Sequence, residues 1–309
     1  MKKNKIPKLH IGDTVGLICP AFKYDPTKQN AIKMEEELKK LGFKVKYGKN
    51  CQKINGYFAG TDFERVEDIH EMFLDKDVKM IMCIKGGYGA SRIVDKIDYD
   101  IIRNNPKMFI GFSDITVLLN AFYQRASLIT IHGLVGIFLG HSRIDQVSMD
   151  DFKTLLFTPQ KKRIIRCQTA TTLVSGECEG ELVGGNLSLI RTLIGTDYDI
   201  DVKGKILFIE DVEEEPYRID GMLSQLRLSK KLSEVKGIIL GYFTDCTTDT
   251  ENVQSYRDIL LDYFKDSQVP VLMDFCSGHD FPFINLPIGA RVRMNADKKE
   301  ITILEEIYK

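Results

Sequence analysis

Short apolar runs alternate with amphipathic stretches through the first 132 residues, and this alternation constrains the fold more than any other feature of the sequence. The apolar runs predict five strands, at residues 14–19, 43–47, 78–84, 108–112 and 127–132. The stretches between them have the period of helices, and Asp62 is the predicted N-cap of the second helix. Strands that alternate with helices predict a parallel sheet covered on both faces. Because ligands of such sheets bind beyond the carboxyl ends of the strands, functional residues are expected in the loops that follow them.

The pattern weakens between residues 141 and 180, where the sequence is polar. It resumes with strands predicted at 205–209, 237–243 and 270–275 and with a final hairpin that turns at Asn295-Ala296-Asp297. A chain of 309 residues also exceeds the usual size of a single core. We therefore predict three regions: an N-terminal α/β domain over 1–150, a crossover over 151–178, and a β-rich C-terminal domain over 179–309.

The charge balance gives no case for nucleic acid or an anionic membrane as the main partner. The chain has 43 Lys and Arg against 44 Asp and Glu, a formal net charge of −1. The first residues lack the apolar core of a signal peptide, and no apolar run approaches the roughly 18 residues of a membrane span. The seven cysteines include no C-x-x-C pair, which predicts free thiols in a reducing compartment. Together these features predict a soluble cytoplasmic protein.

The segment FIGFSDIT, residues 109–116, places Ser113 between a predicted strand and a predicted helix. A serine at a strand-to-helix turn has the layout of a nucleophile elbow, in which the hydroxyl is exposed beyond the strand. Serine is also a preferred N-cap residue. In addition, Ile115 stands where the G-x-S-x-G signature has its second glycine. The local sequence therefore leaves two interpretations open, a helix cap and a nucleophile.

A serine nucleophile needs a base, and the base needs an acid that orients it. Among the five histidines, His279 follows a predicted strand within CSGHD, and His132 ends another strand and is its main rival. Glu210 is the first residue after the predicted strand KILFI, whereas Glu213 belongs to an acidic run typical of a solvated surface. Serine, glutamate and histidine in this order along the chain form one of the known triad arrangements.

A glycine-rich segment, Lys85-Gly86-Gly87-Tyr88-Gly89, follows the third predicted strand. Paired glycines let the backbone approach a ligand and point N–H groups toward it, as an oxyanion hole requires. A tight turn without such a role fits the same residues equally well. The segment matches neither the P-loop nor the G-x-G-x-x-G motif. Cys276 and His279 are only two potential zinc ligands, so we predict no metal and no cofactor.

Five segments taken together resemble the LD-carboxypeptidases, serine peptidases that include muramoyltetrapeptide carboxypeptidase and the microcin C immunity hydrolases. The segments are IKGGYGASRIVDKIDY, FIGFSDITVLLNAF, GELVGGNLSLI, LFIEDVEEEPYRIDGML and SGHDFPFINLPIGARV. They occur in order and, with GDTVGLICPA near the start, span nearly the whole chain. The resemblance implies a Rossmann-like N-terminal domain that carries the serine and a smaller β-rich C-terminal domain that carries the glutamate and the histidine.

By motif, the resemblance implies that Ser113 is the nucleophile, His279 the general base and Glu210 the orienting acid. It implies that the two domains meet at the active site and that the protein is a homodimer. The implied oxyanion hole consists of backbone N–H groups, from Asp114 and either Gly86 or Gly87.

The reaction implied by the resemblance is hydrolysis of the amide between an L-centred residue, usually a dibasic one, and a terminal D-alanine. This step trims murein tetrapeptides to tripeptides during cell-wall recycling in the cytoplasm. A carboxypeptidase also needs a cation for the terminal carboxylate of its substrate. The candidate substrate-binding residues are Lys85, Tyr88, Arg92 and Arg218.

The sequence departs from the family pattern at two basic positions. Lys85 stands where arginine is expected, and Gly221 replaces a common arginine, so carboxylate recognition differs from that of an arginine fork. The chain has no tryptophan, whereas immunity-type members are expected to stack an adenine on an aromatic loop. This difference favours a murein peptide as substrate. The alternatives are a hydrolase of acylated nucleotide antibiotics and a non-catalytic small-molecule-binding module.

Overall fold

The computed structural model describes residues 3–158, 163–251 and 253–309. These residues form two compact units. The first contains the chain up to residue 158 together with 285–289 and 306–309, and the second contains the other described residues. Each unit has its own sheet. Among the helices of the described residues, none combines the length and the apolar character that a membrane span requires.

Fourteen strands and ten helices are present in the described residues. The strands are β1 (Thr14–Ile18), β2 (Lys44–Tyr47), β3 (Val78–Cys83), β4 (Met108–Gly111), β5 (Thr130–His132), β6 (Ile164–Arg166), β7 (Thr171–Val174), β8 (Glu177–Asn186), β9 (Ile206–Val212), β10 (Gly237–Thr244), β11 (Val271–Met273), β12 (Leu286–Ile288), β13 (Arg291–Asn295) and β14 (Glu300–Ile303). The helices are α1 (Gln29–Lys40), α2 (Asp62–Leu74), α3 (Tyr99–Asn104), α4 (Thr116–Ala126), α5 (Gly136–Leu139), α6 (Gln146–Phe157), α7 (Leu187–Leu193), α8 (Pro216–Leu228), α9 (Lys231–Glu234) and α10 (Tyr256–Phe264).

The sheet of the first unit has the strand order β12-β5-β4-β3-β1-β2. Strands β1 to β5 run parallel, and β12 pairs antiparallel with β5. Parallel pairing places the carboxyl ends of β1 to β5 at one edge, so the loops that carry Lys85 and Ser113 emerge side by side. The predicted α/β fold class is confirmed. Through β12, residues 285–289 join this unit although they lie within the range predicted for the second domain.

The sheet of the second unit has eight strands in the order β6-β14-β13-β8-β9-β10-β11-β7. Its central strands β8 to β11 run parallel and are flanked by antiparallel strands. The predicted final hairpin is present as β13 and β14. The strand predicted at 205–209 extends further, to Val212, so Glu210 lies within β9 and not after it. Strands β6 and β7 lie in the segment 151–178, which was predicted as a crossover between the two domains.

The N terminus of α2 corrects one predicted cap. Thr61 is the N-cap residue, and its hydroxyl accepts a hydrogen bond from the Glu64 N–H at 3.3 Å. The Glu64 carboxylate accepts from the Thr61 N–H at 2.8 Å, which completes a capping box. Asp62 is the first helical residue, and its carboxylate pairs with Arg65 and Arg92 instead. The prediction of Asp62 as cap is wrong by one residue because the box requires a cap three residues before the glutamate.

The cysteines correct a second expectation. Cys167, after β6, and Cys276, after β11, form a disulfide with their Cα atoms 5.9 Å apart. The other five cysteines are free. The prediction of seven free thiols is therefore wrong for this pair, whose members are 109 residues apart in the sequence. Only the folding of the second unit brings them to the Cα separation that a disulfide requires.

Candidate active site

Ser113 lies at the turn between β4 and α4 and is half-buried. Its φ of 61° is in the left-handed region, which is uncommon for serine and costs roughly 1–3 kcal/mol. The 3-10 turn Ser113–Ile115 follows Phe112, and α4 follows Ile115, and no side chain caps either N terminus. The structure therefore excludes the helix-cap interpretation. The strained strand-to-helix turn is the geometry of a nucleophile elbow.

The glycine-rich segment packs directly against Ser113. A Cβ atom on Gly86 would lie 2.9 Å from the Cβ of Ser113 and 3.2 Å from the carbonyl oxygen of Phe112. A Cβ atom on Gly87, where φ is 114°, would lie 2.4 Å from the ring of Phe22. Gly86 is therefore the glycine that packs against Ser113. A side chain at position 86 would displace either the glycine-rich segment or the serine turn.

The carboxylate of Asp114 ties the glycine-rich segment to the serine turn. Its Oδ2 accepts a hydrogen bond from the Ala90 N–H at 2.7 Å. The buried Arg65 guanidinium donates to the Gly89 carbonyl at 3.0 Å. Two backbone polar groups of this segment, the Ala90 N–H and the Gly89 carbonyl, are thus held by buried side chains. Sequence reasoning considered only the backbone N–H of Asp114, and it missed the carboxylate because the contact spans 24 residues.

The Asp114 carboxyl is buried, and desolvation raises its pKa to about 6. The hydrogen bond from Ala90 and the charge of Arg65 act in the opposite direction. Its Oδ1 has no hydrogen-bond partner among the described residues. Near neutral pH the group is therefore mainly an anion that accepts the Ala90 N–H.

The three candidate substrate-binding residues of the first unit differ in the contacts that their side chains already make. Arg92 donates to both carboxylate oxygens of Asp62 at 3.1 Å. Tyr88 is 50% exposed. The Lys85 ammonium lies 5.6 Å from the centroid of the Phe22 ring and forms no ion pair with the part of the chain that the structure describes. Of the two cations, Lys85 is therefore the one that no carboxylate of the described residues engages.

In the second unit, Glu210 and His279 are in contact. Glu210 Oε2 lies 2.7 Å from His279 Nδ1. The Glu210 side chain is fully buried, and that of His279 is 12% exposed. In a catalytic triad the acid engages one imidazole nitrogen, and the other nitrogen exchanges a proton with the nucleophile. The structure therefore brings together the two residues that the sequence suggested as acid and base.

The environment of His279 favours its charged form. Burial lowers the pKa of His279, but the charge of Glu210 and its hydrogen bond, with Asp211 and Glu213, outweigh burial and raise the pKa above its ordinary value. Gly278, with φ of 135°, allows the close approach, because a Cβ atom there would lie 3.0 Å from Glu210 Oε2. The loop thus places the histidine against the carboxylate at a position where only glycine fits.

Asp211 is a buried neighbour of the pair that sequence reasoning did not single out. Asn186 donates to its Oδ1 at 2.8 Å, and the Ser188 hydroxyl donates to its Oδ2 at 2.9 Å. Burial and the nearby charge of Glu210 raise the pKa of Asp211 to about 6. These contacts fix the ends of β8 and β9 beside Glu210. In the sequence, the two polar residues Asn186 and Ser188 within GGNLS were the signal that could have indicated these contacts.

Arg218, the candidate cation of the second unit, lies on α8. Its guanidinium is 3.8 Å from the Glu214 carboxylate, and its Nε is 3.2 Å from the Tyr217 hydroxyl. Arg218 is exposed, and no described contact joins it to Glu210 or His279. Its assignment to the substrate stays a prediction.

Two groups of candidate residues result, one in each unit. Ser113, Asp114 and Gly86 are in contact in the first, and Glu210 and His279 in the second. His132 is fully buried in the first unit, where its ring packs on Phe112 with centroids 5.8 Å apart. In residues 3–158, 163–251 and 253–309, no group of three or more His, Cys, Asp or Glu side chains is arranged to hold a metal ion.

Comparison with known proteins decides the family. The model of the LD-carboxypeptidase N-terminal domain matches residues 15–133, and that of the LD-carboxypeptidase C-terminal domain matches residues 179–294. This chain belongs to the LD-carboxypeptidase family. A probable murein peptide carboxypeptidase of Bacillus subtilis is 42% identical over 303 residues, which cover 97% of this chain and 94% of the relative. The murein tetrapeptide carboxypeptidase of Pseudomonas aeruginosa is 31% identical over 87% of this chain and 89% of its own length.

Solved structures of LD-carboxypeptidase-like proteins have the same fold. The microcin C7 self-immunity protein MccF superposes with a TM-score of 0.91 at 26% identity and covers 99% of both chains. The muramoyltetrapeptide carboxypeptidase from Oxalobacter formigenes superposes with a TM-score of 0.83 at 26% identity and covers 94% of this chain and 97% of its own. The resemblance inferred from the sequence motifs is thus confirmed.

Proposed function

We propose that this protein is a serine LD-carboxypeptidase that releases the terminal D-alanine from murein tetrapeptides. The murein substrate is supported by the 42% identity to a relative named for murein peptides, against 29% for the microcin C7 immunity protein of Escherichia coli. The absence of tryptophan from the chain supports the same choice, because an adenine-binding loop would benefit from that side chain.

In the proposed mechanism Ser113 attacks the scissile carbonyl carbon, and its proton passes to His279. The C–N bond then breaks, and the imidazolium gives the proton to the amine of the departing D-alanine. A water molecule, deprotonated by the same imidazole, hydrolyses the acyl-enzyme and regenerates the serine. Glu210 orients the imidazole and stabilises its charged form. The mechanism requires residues of both units to act on one substrate, and we propose that they do so.

We assign the oxyanion hole to the backbone N–H groups of Asp114 and Gly86. The assignment of Gly86 rather than Gly87 is supported by its contact with Ser113. A donor of this kind typically contributes about 10²- to 10³-fold to the rate, because it meets the charge that develops on the carbonyl oxygen. The carboxylate of Asp114 supports the oxyanion hole indirectly, because it binds the Ala90 N–H and so holds the glycine-rich segment in place.

The observation that carries the proposal is the 2.7 Å contact between the buried carboxylate of Glu210 and His279. A buried ion pair of this kind is costly for the fold, because both charges lose their hydration. In a catalytic triad this ion pair has a function, because the carboxylate compensates the positive charge that the imidazole gains when it takes the serine proton.

The direct test is mass spectrometry of a murein tetrapeptide that ends in L-Lys–D-Ala after incubation with the protein. The wild type is expected to yield the tripeptide and free D-alanine. The Ser113→Ala, His279→Ala and Glu210→Ala variants are expected to lose this activity while their circular dichroism is unchanged. Turnover by the serine variant would overturn the mechanism. Cleavage of an aminoacyl-adenylate analogue, with the tetrapeptide left intact, would instead favour a hydrolase of nucleotide antibiotics.

We further propose that the enzyme is a homodimer in the cytoplasm, where it acts in cell-wall recycling. Family resemblance supports both statements. The cysteines do not support a reducing compartment, because Cys167 and Cys276 form a disulfide and are not free thiols. Light scattering coupled to size-exclusion chromatography distinguishes a monomer of 35.2 kDa from a species of twice that mass. Fractionation of the native cells measures the location.

A further inference from the structure

A cavity of about 790 Å³ opens in the first unit beside the glycine-rich segment. Its walls come from the loops after β1, β2 and β3, and from the starts of α1 and α5. Lys85, the residue before Gly86, is part of its lining. A volume of this size suits a ligand larger than a single amino acid. The cavity therefore has room for a part of the substrate other than the leaving D-alanine.

The position of the cavity is the one at which parallel α/β sheets bind ligands. In the strand order β12-β5-β4-β3-β1-β2, the chain places β2 on one side of β1 and then crosses to place β3 on the other side. The crevice between the loops after β1 and β3 is thus the topological switch point of the sheet. The Phe22 N–H donates to the Gly86 carbonyl across this crevice at 3.4 Å, which connects the cavity to the segment that touches Ser113.

The charges around the cavity are predominantly positive. Lys23, Lys28 and Lys85 line it, against the single carboxylate of Asp25. Asp25 is engaged locally, because Thr27 donates to its Oδ1 from both its N–H and its hydroxyl, at 2.9 and 2.6 Å. In the ranges that the structure describes, neither Lys23 nor Lys85 forms an ion pair. Amide side chains that can also donate hydrogen bonds complete the lining, namely Gln29, Asn30 and Gln52.

We propose that this cavity is a subsite for a carboxylate of the peptide substrate, with Lys23 and Lys28 supplying positive charge beside Lys85. The inference rests on the proposed function, which gives the substrate its class, and extends it to residues that the triad does not include. Lysine acts as a point charge on a flexible stem and holds a carboxylate without the geometry of an arginine fork. A murein tetrapeptide that ends in L-Lys–D-Ala offers two such groups, the carboxylate of its glutamyl residue and that of its terminal D-alanine.

The test compares the double variant Lys23→Gln/Lys28→Gln with a charge-matched control, Lys33→Gln/Lys44→Gln. Lys33 and Lys44 belong to the same unit, are not part of the cavity lining and form no described ion pair. On a tetrapeptide with both carboxylates free, the cavity variant is expected to have a KM about 5- to 10-fold higher than the control, because partly exposed charge pairs contribute modestly. Equal KM values for the two variants would overturn the proposal.

Amidated peptides identify the carboxylate. The same KM values are measured with the glutamyl carboxylate amidated, with the terminal carboxylate amidated, and with both amidated. The single amide that removes the difference between the cavity variant and the control marks the group bound in the cavity. A difference that survives amidation of both groups would overturn the proposal, since the lysines would then act on something other than a carboxylate.

A binding measurement separates this inference from the proposed function. If the wild type releases neither D-alanine from the free acids nor D-alaninamide from the terminally amidated peptides, the proposed function fails. Calorimetry with the Ser113→Ala variant then compares the dissociation constants of the free acid and the double amide without turnover. Tighter binding of the acid that is lost with Lys23→Gln/Lys28→Gln supports the subsite, and equal dissociation constants overturn it.

Discussion

At the scale of single residues, His279 is the proposed general base, so its protonation is expected to set the activity. Its pKa lies above the ordinary value of about 6.5, because Glu210 outweighs the effect of burial. A general base must be neutral, so kcat/KM is expected to rise with pH through a midpoint above about 6.5. Loss of activity only well below that pH would contradict the assignment of His279 as base. The measurement is the pH profile of D-alanine release under conditions where the fold is stable.

Glu210→Gln tests the cause of this shift. The variant keeps the shape of the side chain but removes the charge that favours the imidazolium. The midpoint is expected to move to lower pH by about one unit or more. The maximal kcat is expected to fall about 10³- to 10⁴-fold, as when the acid of a triad loses its charge. If Glu213→Gln gives this result and Glu210→Gln does not, the acid was assigned to the wrong residue.

Asp114 offers a second test at this scale, on a residue that positions the site without reacting. In Asp114→Ala, the Ala90 N–H loses its acceptor, at a cost of about 1–3 kcal/mol for a buried donor. We expect kcat to fall at least tenfold, since the glycine-rich segment is no longer held beside Ser113. Asp114→Asn keeps an acceptor oxygen and is expected to recover most of that loss. Equal activity of the alanine and asparagine variants would show that the carboxyl group has no positioning role.

The sequence indicated where the candidate residues lie but not how they are held. Ser113 and His279 lie in the segments that follow β4 and β11, and the end of a strand is visible in a single sequence as the limit of an apolar run. The contact from Asp114 to Ala90 is not visible there, because it joins residues that are 24 positions apart in the sequence. Glu210 was placed one residue beyond its strand, since the charge interrupts an apolar run that the backbone continues to Val212.

At the scale of elements, the disulfide joins the end of β6 to the loop that carries His279. Alkylation of the unfolded protein without reductant is expected to label five cysteines, and alkylation after reduction all seven. Cys167→Ser/Cys276→Ser is expected to lower the free energy of unfolding by about 2–4 kcal/mol, because the cross-link constrains the unfolded chain. Urea denaturation measures this difference. Seven labelled cysteines before reduction would contradict the disulfide.

Elements were predicted best where their pattern is local. Strands β1 to β5, β9 to β11, β13 and β14 and helix α2 follow from apolar periodicity, which neighbouring residues determine. The antiparallel pairing of β12 with β5 joins Leu286 to His132 and was not predictable, because no local signal specifies a partner so distant in the sequence. The Cys167–Cys276 pair escaped prediction for the same reason, since spacing alone gives no connectivity.

At the scale of the whole molecule, the proposed triad makes one unit dependent on the other. Ser113 belongs to the first unit, and Glu210 and His279 belong to the second. The rival base, His132, belongs to the first unit and is buried against Phe112. The two assignments therefore differ in whether the reactivity of the serine depends on the second unit.

Covalent labelling by a fluorophosphonate distinguishes these assignments, because the reagent reacts with a serine only when a base activates it. The wild type is expected to take up one label per chain at Ser113, identified by peptide mass spectrometry. His279→Ala is expected to slow labelling at least 10³-fold, and Glu210→Gln to slow it less, because the base is still present. His10→Ala is the control, since His10 is exposed and lies outside both groups of candidate residues. Labelling that persists in His279→Ala and disappears in His132→Gln, with the fold retained, would place the base in the first unit.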